Sequence, residues 1–184
     1  MGKYVALLRG INVGGKNKIK MAELRAAMER LGLSEVQTYI QSGNILFESD
    51  DDEQTLRIMI EQMIEQEFGL SIPTILRTSD ELQEIVRNCP FSNQEIAEAE
   101  ASSEVESMYV TMLLDAPDAE RMEKLKSFDF KGDQFSIQGR DVYMLFQQSI
   151  RNSKLAVQVE KLGVPTTRNW KTMNKLISMF EDRK

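Results

Sequence analysis

The feature that most constrains this chain is the order in which its apolar spacing changes period over the first 78 residues. Residues 3–9 are apolar and β-compatible, and read as a strand. A Gly-rich stretch, Gly10-Ile11-Asn12-Val13-Gly14-Gly15, follows it. From Met21, apolar residues recur at Met21, Leu24, Met28 and Leu31, the spacing of one helix face. Gly32 stands where such a helix stops. Residues 36–41 and 45–48 are β-rich runs around Ser42-Gly43-Asn44, a hairpin signal. Asp50, Asp51 and Asp52 suit the positive end of a helix whose inward residues are Leu56, Ile60, Met63, Ile64 and Phe68. Gly69 ends that helix, and residues 70–77 make another strand. The order is β-α-β-β-α-β, the ferredoxin-like order, in which two crossover helices cover one face of a four-stranded sheet.

The rest of the chain reads similarly. Residues 79–88 form a helix with Leu82, Ile85 and Val86 as its apolar face, broken by Cys89-Pro90. Residues 91–106 hold five Glu and no basic residue, which suggests an exposed linker with one short helix. A strand at 108–114 precedes a helix that follows Pro117 and turns Met122, Leu125 and Phe128 inward. A hairpin, 134–138 and 142–146, turns at Gly139-Arg140-Asp141. A helix at 153–162, an irregular stretch at 163–168 and a last helix at 169–181 complete the order. The hairpin Ile40-Gln41-Ser42-Gly43-Asn44-Ile45-Leu46-Phe47 resembles the stretch from Ile137 to Phe146. Either the chain carries a worn internal duplication or two generic turns look alike. The expected fold is α+β: two ferredoxin-like (alpha-beta plait) repeats in tandem, at 1–78 and 107–184, with a linking helix and acidic linker at 79–106 and an extra C-terminal helix.

Composition excludes several chemistries. The chain has no His, which removes the commonest general base, the Ser–His and Cys–His pairs and the commonest transition-metal ligand. Cys89 is the only Cys, so there is no intramolecular disulfide, a reducing compartment is expected, and neither zinc nor any other metal is expected. Cys89 has no basic partner nearby in sequence and reads as inert. Any catalysis falls to Asp, Glu, Lys, Arg, Tyr, Ser or backbone groups, and the sequence names no cofactor. The N-terminal apolar run stops at Arg9 without a cleavage site, so it reads as a strand and not a leader. Ala6 breaks the myristoylation pattern. No apolar run approaches the roughly 18–20 residues of a membrane span. The expectation is a cytoplasmic protein without a membrane partner.

A net charge of −6 argues against broad nucleic-acid binding, and the strands lack the aromatic pair on which RNA bases stack. The charge is uneven, however. Residues 9–25 carry Arg9, Lys16, Lys18, Lys20 and Arg25 against Glu23 alone. Residues 149–175 carry Arg151, Lys154, Lys161, Arg168, Lys171 and Lys175 against Glu160 alone.

Three segments have the residue types to hold a ligand. The first contains Arg9, Asn12, Gly14, Gly15 and Lys16, where backbone N–H groups and Lys suit an anion. From Gly10 to Asn17 it nearly matches the phosphate-binding G-x-x-x-x-G-K-[ST] pattern. Asn17 replaces the hydroxyl that binds Mg²⁺, and the helix starts late, which leaves a flexible turn or a non-hydrolytic anion loop. The second presents Gln41, Ser42 and Asn44 around Gly43, whose turn needs a positive φ. The third runs through Ser149–Leu155, with Lys154, and Thr166-Thr167-Arg168-Asn169-Trp170. Thr167 or Asn169 suits the N-cap of the last helix. Arg168 at that positive end breaks a local rule, which invites a bound anion. Trp170, the only Trp, either fills the core or faces that ligand.

Leu7-Leu8-Arg9-Gly10-Ile11-Asn12-Val13-Gly14-Gly15, Gln41-Ser42-Gly43-Asn44 and Thr166-Thr167-Arg168-Asn169-Trp170 together resemble the signatures of a widespread bacterial family, domain of unknown function 1697. The resemblance covers nearly the whole chain and implies two ferredoxin-like repeats. It supplies no substrate, cofactor or catalytic residue. Members often carry glycine just before the Ser153-Lys154-Leu155 position, where this chain has Gln148-Ser149-Ile150-Arg151-Asn152.

The functional expectation is binding of a small phosphate-containing or nucleotide-like anion in one pocket made by all three segments. Two other readings stay open. One is a His-free, metal-free enzyme with Lys16 or Lys154 as base or charge stabiliser and the Gly14-Gly15 amides binding an oxyanion. The other is a nucleic-acid or protein-interaction module.

Overall fold

The computed structural model describes residues 1–101, 105–147 and 149–183. Among these, seven α-helices and two four-stranded antiparallel sheets make an α+β protein. The chain divides into two compact units, Met1–Gln83 with Leu176–Lys184, and Glu84–Lys175.

Unit one runs β1 (Gly2–Leu8), α1 (Met21–Arg30), β2 (Ser34–Tyr39), β3 (Asn44–Ser49), α2 (Glu53–Phe68), β4 (Thr74–Thr78) and the start of α3 (Ser79–Arg87). The sheet order is β2-β3-β1-β4, every neighbour antiparallel. Side chains alternate across the pleat. Ala6, Leu8, Ile45, Phe47 and Leu76 therefore meet Leu24, Met28, Leu56, Ile60 and Ile64 of the two helices in one core. Each of these Leu, Ile, Met and Phe side chains, fully buried, contributes about 1.5–3 kcal/mol. Val5, Leu7, Leu46 and Ile75 alternate with them and are equally buried.

Local chemistry sets the helix boundaries. The Asp52 side chain accepts a hydrogen bond from the Thr55 amide at 2.8 Å, and Gly69 ends α2 in the left-handed conformation with φ 68°. A reciprocal capping box starts α3: Thr78 Oγ1 accepts from the Glu81 amide and Glu81 Oε1 from the Thr78 amide. The strand expected at 70–77 is shorter, because β1 ends at Leu8 opposite Thr74 and offers no partner to residues 70–72.

The same unit includes the C-terminal end of the chain. Arg183 donates Nε to Gln37 Oε1 at 3.0 Å and Nη2 to the Glu35 carbonyl at 2.6 Å, and lies 5.8 Å from the Phe180 ring centroid. Glu35 has φ 51° at an irregularity in β2, so the arginine holds a strained edge.

Unit two holds the end of α3, α4 (Asn93–Ala101), β5 (Met108–Leu113), α5 (Ala119–Lys126), β6 (Gln134–Gln138), β7 (Asp141–Leu145), a 3₁₀ turn (Ile150–Asn152), α6 (Lys154–Glu160), β8 (Pro165–Asn169) and the start of α7 (Trp170–Glu181). Its sheet order is β6-β7-β5-β8, again antiparallel throughout. Leu113, Val142, Met144 and Phe146 pack with Leu125, Leu155, Val159 and Leu162. The Tyr143 hydroxyl, buried on the other face, donates to the Ile85 carbonyl at 2.6 Å. Within the acidic stretch, Ser92 and Glu95 make a capping box for α4, and Ile96 and Ala99 are buried. Residues 102–104 of that stretch lie outside the described residues, as does Gln148.

The stretch expected to be irregular, 163–168, is corrected in part. Pro165–Asn169 is the edge strand β8, in register with β5 from Leu113↔Pro165 to Tyr109↔Asn169. Its polar residues hid it. Thr167 Oγ1 lies 2.7 Å from Thr111 Oγ1, a cross-strand pair, while Thr166 and Arg168 are buried on the opposite face.

Candidate functional site

The loop between β1 and α1 is a small hairpin finger. Gly14 and Gly15 are both left-handed, φ 59° and 76°, and the Lys16 amide donates to the Val13 carbonyl at 3.0 Å. That is the backbone a two-residue hairpin turn demands, and a Gly-Gly pair supplies it without strain. Asn12 N–H bonds the Asn17 carbonyl at 3.1 Å, and Asn17 Nδ2 bonds the Gly10 carbonyl at 3.0 Å. The near match to a phosphate-binding loop therefore encodes a closed hairpin. Helix α1 begins only at Met21, behind Lys20, whose side chain makes no cap.

Asn12 ties the finger down. Its side-chain oxygen accepts from the Ile19 amide at 2.9 Å, and its Nδ2 donates to the carbonyls of Ile19, at 3.0 Å, and Gln41, at 2.8 Å. The last bond joins the finger to the β2–β3 turn. A second join is the Leu8 amide to the Gly43 carbonyl, 2.9 Å. Gly43 has φ 85°, and a Cβ there would stand 2.8 Å from both Leu8 Cβ and Ile11 Cδ1. The turn's own polar groups look inward: Asn44 Nδ2 donates to the Tyr39 carbonyl and to Ser42 Oγ, and Asn44 is fully buried. Gln41 is exposed and aims its carbonyl at Asn12.

The structure thus brings Arg9, Asn12, Gly14, Gly15 and Lys16 together with Gln41, Ser42 and Asn44. It uses Asn12 and Asn44 as internal fasteners and leaves the Gly14–Lys16 tip exposed. Sequence reasoning missed Ile40. This β-branched residue has φ 48° and is 48% exposed, beside a turn that already has a glycine. It also missed Val13, 63% exposed at the tip, and Asn17 with φ 51°. The Asn and Gly content of 10–17 was the available signal.

The third segment belongs to unit two. Thr166, Thr167, Arg168 and Asn169 are strand residues, and Trp170 opens α7. Arg168 Nη1 donates to Thr166 Oγ1 at 3.0 Å and to the Thr167 carbonyl at 2.9 Å. Burial pushes the Arg168 pKa down to about 10, because a charged guanidinium is costly away from water. Asn169, not Thr167, caps α7, accepting from the Thr172 amide at 2.8 Å. Trp170 is half-buried, and its carbonyl accepts from Asn174 Nδ2. Lys154 is exposed at the start of α6 and lines a polar cleft. Among the described residues no group of three or more His, Cys, Asp or Glu is arranged to hold a metal, and no helix is long and apolar enough to cross a membrane.

Two four-stranded antiparallel sheets and their helices define the class: an α+β protein of two sheet-containing units. The family model described as "Protein of unknown function (DUF1697)" matches residues 1–143, and the chain belongs to that family. The chain is similar to "conserved bacterial protein SP0830 from Streptococcus pneumoniae", with 27% identity and a TM-score of 0.75 across 97% of this chain and 98% of that one. No curated protein matches it.

Proposed function

We propose that this chain is a cytoplasmic protein of two tandem ferredoxin-like repeats, 1–78 and 107–184, and that it binds a small phosphate-containing or nucleotide-like anion at the finger of unit one. The fold reading is supported by the strand order, since a β-α-β-β-α-β chain with β1 and β3 central and β2 and β4 outside has ferredoxin-like connectivity.

One observation carries the ligand reading. Of the five non-glycine residues with positive φ among the described residues, three (Asn12, Asn17 and Ile40) are in the finger and the adjoining turn. Asn tolerates this conformation, whereas for the β-branched Ile40 it costs of order 1–3 kcal/mol, and strain of this kind concentrates where function holds the backbone in place. What the strained backbone holds is cationic. Arg9, Lys16, Lys18 and Lys20 share one short loop without an acidic residue. Exposed Val13 and Ile40 supply apolar surface beside them, which suits a nucleotide-like ligand better than a bare ion.

Calorimetric titration with ATP and with pyrophosphate tests the reading. Both bind, ATP more tightly, and a Lys16→Met, Lys18→Met double variant loses about tenfold or more in affinity for each, the cost of charge-assisted hydrogen bonds. Equal affinity in wild type and variant sinks the assignment to the finger.

A further inference from the structure

The geometry points to a second ligand site, in unit two: a cleft that takes a small hydroxylated anion of sugar-phosphate size. The cleft encloses about 300 Å³, at the lower end of the range for small-molecule sites. One wall is the turn after α5. Lys131 and Gly132 are both left-handed there, φ 54° and 97°, and the Asp133 amide closes the turn on the Phe130 carbonyl at 3.2 Å. The facing wall comes from Gln147, Ser149, Asn152, Ser153 and Lys154.

Asp133 clamps the two walls. Its Oδ1 accepts from the Gln147 amide and its Oδ2 from Ser153 Oγ, both at 2.8 Å. With both oxygens engaged, Asp133 is a fastener, and the groups left to the cleft are different ones. Lys131 and Lys154 line it without an ion pair among the described residues. The side-chain amides of Asn152 and Gln147 likewise have no partner there. Asp129 spends one carboxylate oxygen on the Lys131 amide at 3.0 Å and has a second oxygen to offer.

That inventory selects a ligand class. Two ammonium groups suit one monoanionic or dianionic group. Two amides, each both donor and acceptor, and a carboxylate acceptor suit hydroxyl groups. Asp129 and Asp133 repel a polyphosphate, and Phe130, itself buried, is the one large apolar side chain in the lining, so a nucleobase or an acyl chain finds no surface. The site does not depend on the finger. It also gives a role to Lys154, which β8 and α7 leave unexplained.

Ribose 5-phosphate, ribose and inorganic phosphate are the probes, each titrated into the full chain while backbone amide resonances are followed. Ribose 5-phosphate shifts the amides of Lys131, Asp133, Gln147 and Lys154 in a saturable way. Inorganic phosphate shifts the same amides more weakly, and ribose leaves them in place. Lys131→Met and Lys154→Met each weaken ribose 5-phosphate binding about tenfold, whereas Lys124→Met, an exposed lysine outside the cleft, does not. All three substitutions are at exposed positions, and unchanged circular dichroism verifies the fold. No saturable shift at these amides, equal effects of all three sugar and phosphate probes, or equal loss in the Lys124→Met control overturns the proposal. A response confined to finger amides overturns it while leaving the finger reading intact.

Discussion

Replacing Gly43 with alanine isolates the packing of the β2–β3 turn on the base of the finger. Two costs add at this position. At φ 85° an alanine adopts a left-handed backbone, which costs roughly 1–2 kcal/mol. Its Cβ also meets Leu8 Cβ and Ile11 Cδ1 at 2.8 Å, closer than carbon atoms approach, and both neighbours are buried. Relieving such overpacking costs about 1–3 kcal/mol. The sum is about 2–5 kcal/mol. Gly10→Ala is the matched control: φ is 70°, and nothing stands within 4 Å of its Cβ position, so only the first cost applies. For a chain of this length each kcal/mol moves Tm by about 2–4 °C. Gly43→Ala therefore lowers Tm by roughly 4–20 °C and Gly10→Ala by roughly 2–8 °C, read by thermal unfolding of the two variants side by side. Equal shifts would refute the claim that the turn is seated on Leu8 and Ile11, because the steric component would be missing.

Asn12→Asp keeps the acceptor for the Ile19 amide but removes both donations, to Ile19 and Gln41, so stability falls by about 1–3 kcal/mol in urea denaturation and pyrophosphate affinity falls with it. Unchanged affinity would separate the fastening from ligand binding. Tyr143→Phe leaves the Ile85 carbonyl without its partner and costs about 1–3 kcal/mol, measured the same way. Asn169→Ala removes the cap of α7 at a cost of about 1 kcal/mol, visible as a lower midpoint with an unchanged slope. Asp52 titrates below its ordinary value because the Thr55 amide bonds its carboxylate. Its stabilisation is therefore present above the ordinary carboxylate pKa and is lost as pH falls through the depressed one. The gap in Tm between wild type and Asp52→Ala is accordingly constant above the carboxylate range and narrows as pH falls through and below it, and a gap that stays constant into strong acid contradicts the cap.

The element order was legible wherever the hydrophobic period was clean. Met21, Leu24 and Met28 marked α1, and Leu56, Ile60 and Ile64 marked α2, since each set faces a core. β8 was not legible, because Thr166, Thr167 and Arg168 carry no apolar alternation; the strand is held by pairing with β5, a contact 56 residues away at Thr111–Thr167. The finger was half legible. Gly14-Gly15 flanked by Val13 and Lys16 is a two-residue hairpin signal, yet the longer phosphate-loop pattern overlaps it. The role of Asn12 depends on a bond to Gln41, 29 residues on, and no local rule reports that. Arg168 looked misplaced because it was read at a helix start; as a strand residue bonded to Thr166 and Thr167 it no longer breaks that rule.

The grouping of Leu176–Lys184 with Met1–Gln83 has a consequence for synthesis. A ribosome adding about 5–20 residues per second delivers Gln83 roughly 5–20 seconds before Leu176. For that interval the strained edge at Glu35 waits for an arginine that has not yet been translated. The first unit made is the last one finished, and a nonsense codon anywhere in α7 leaves its edge strand unlatched.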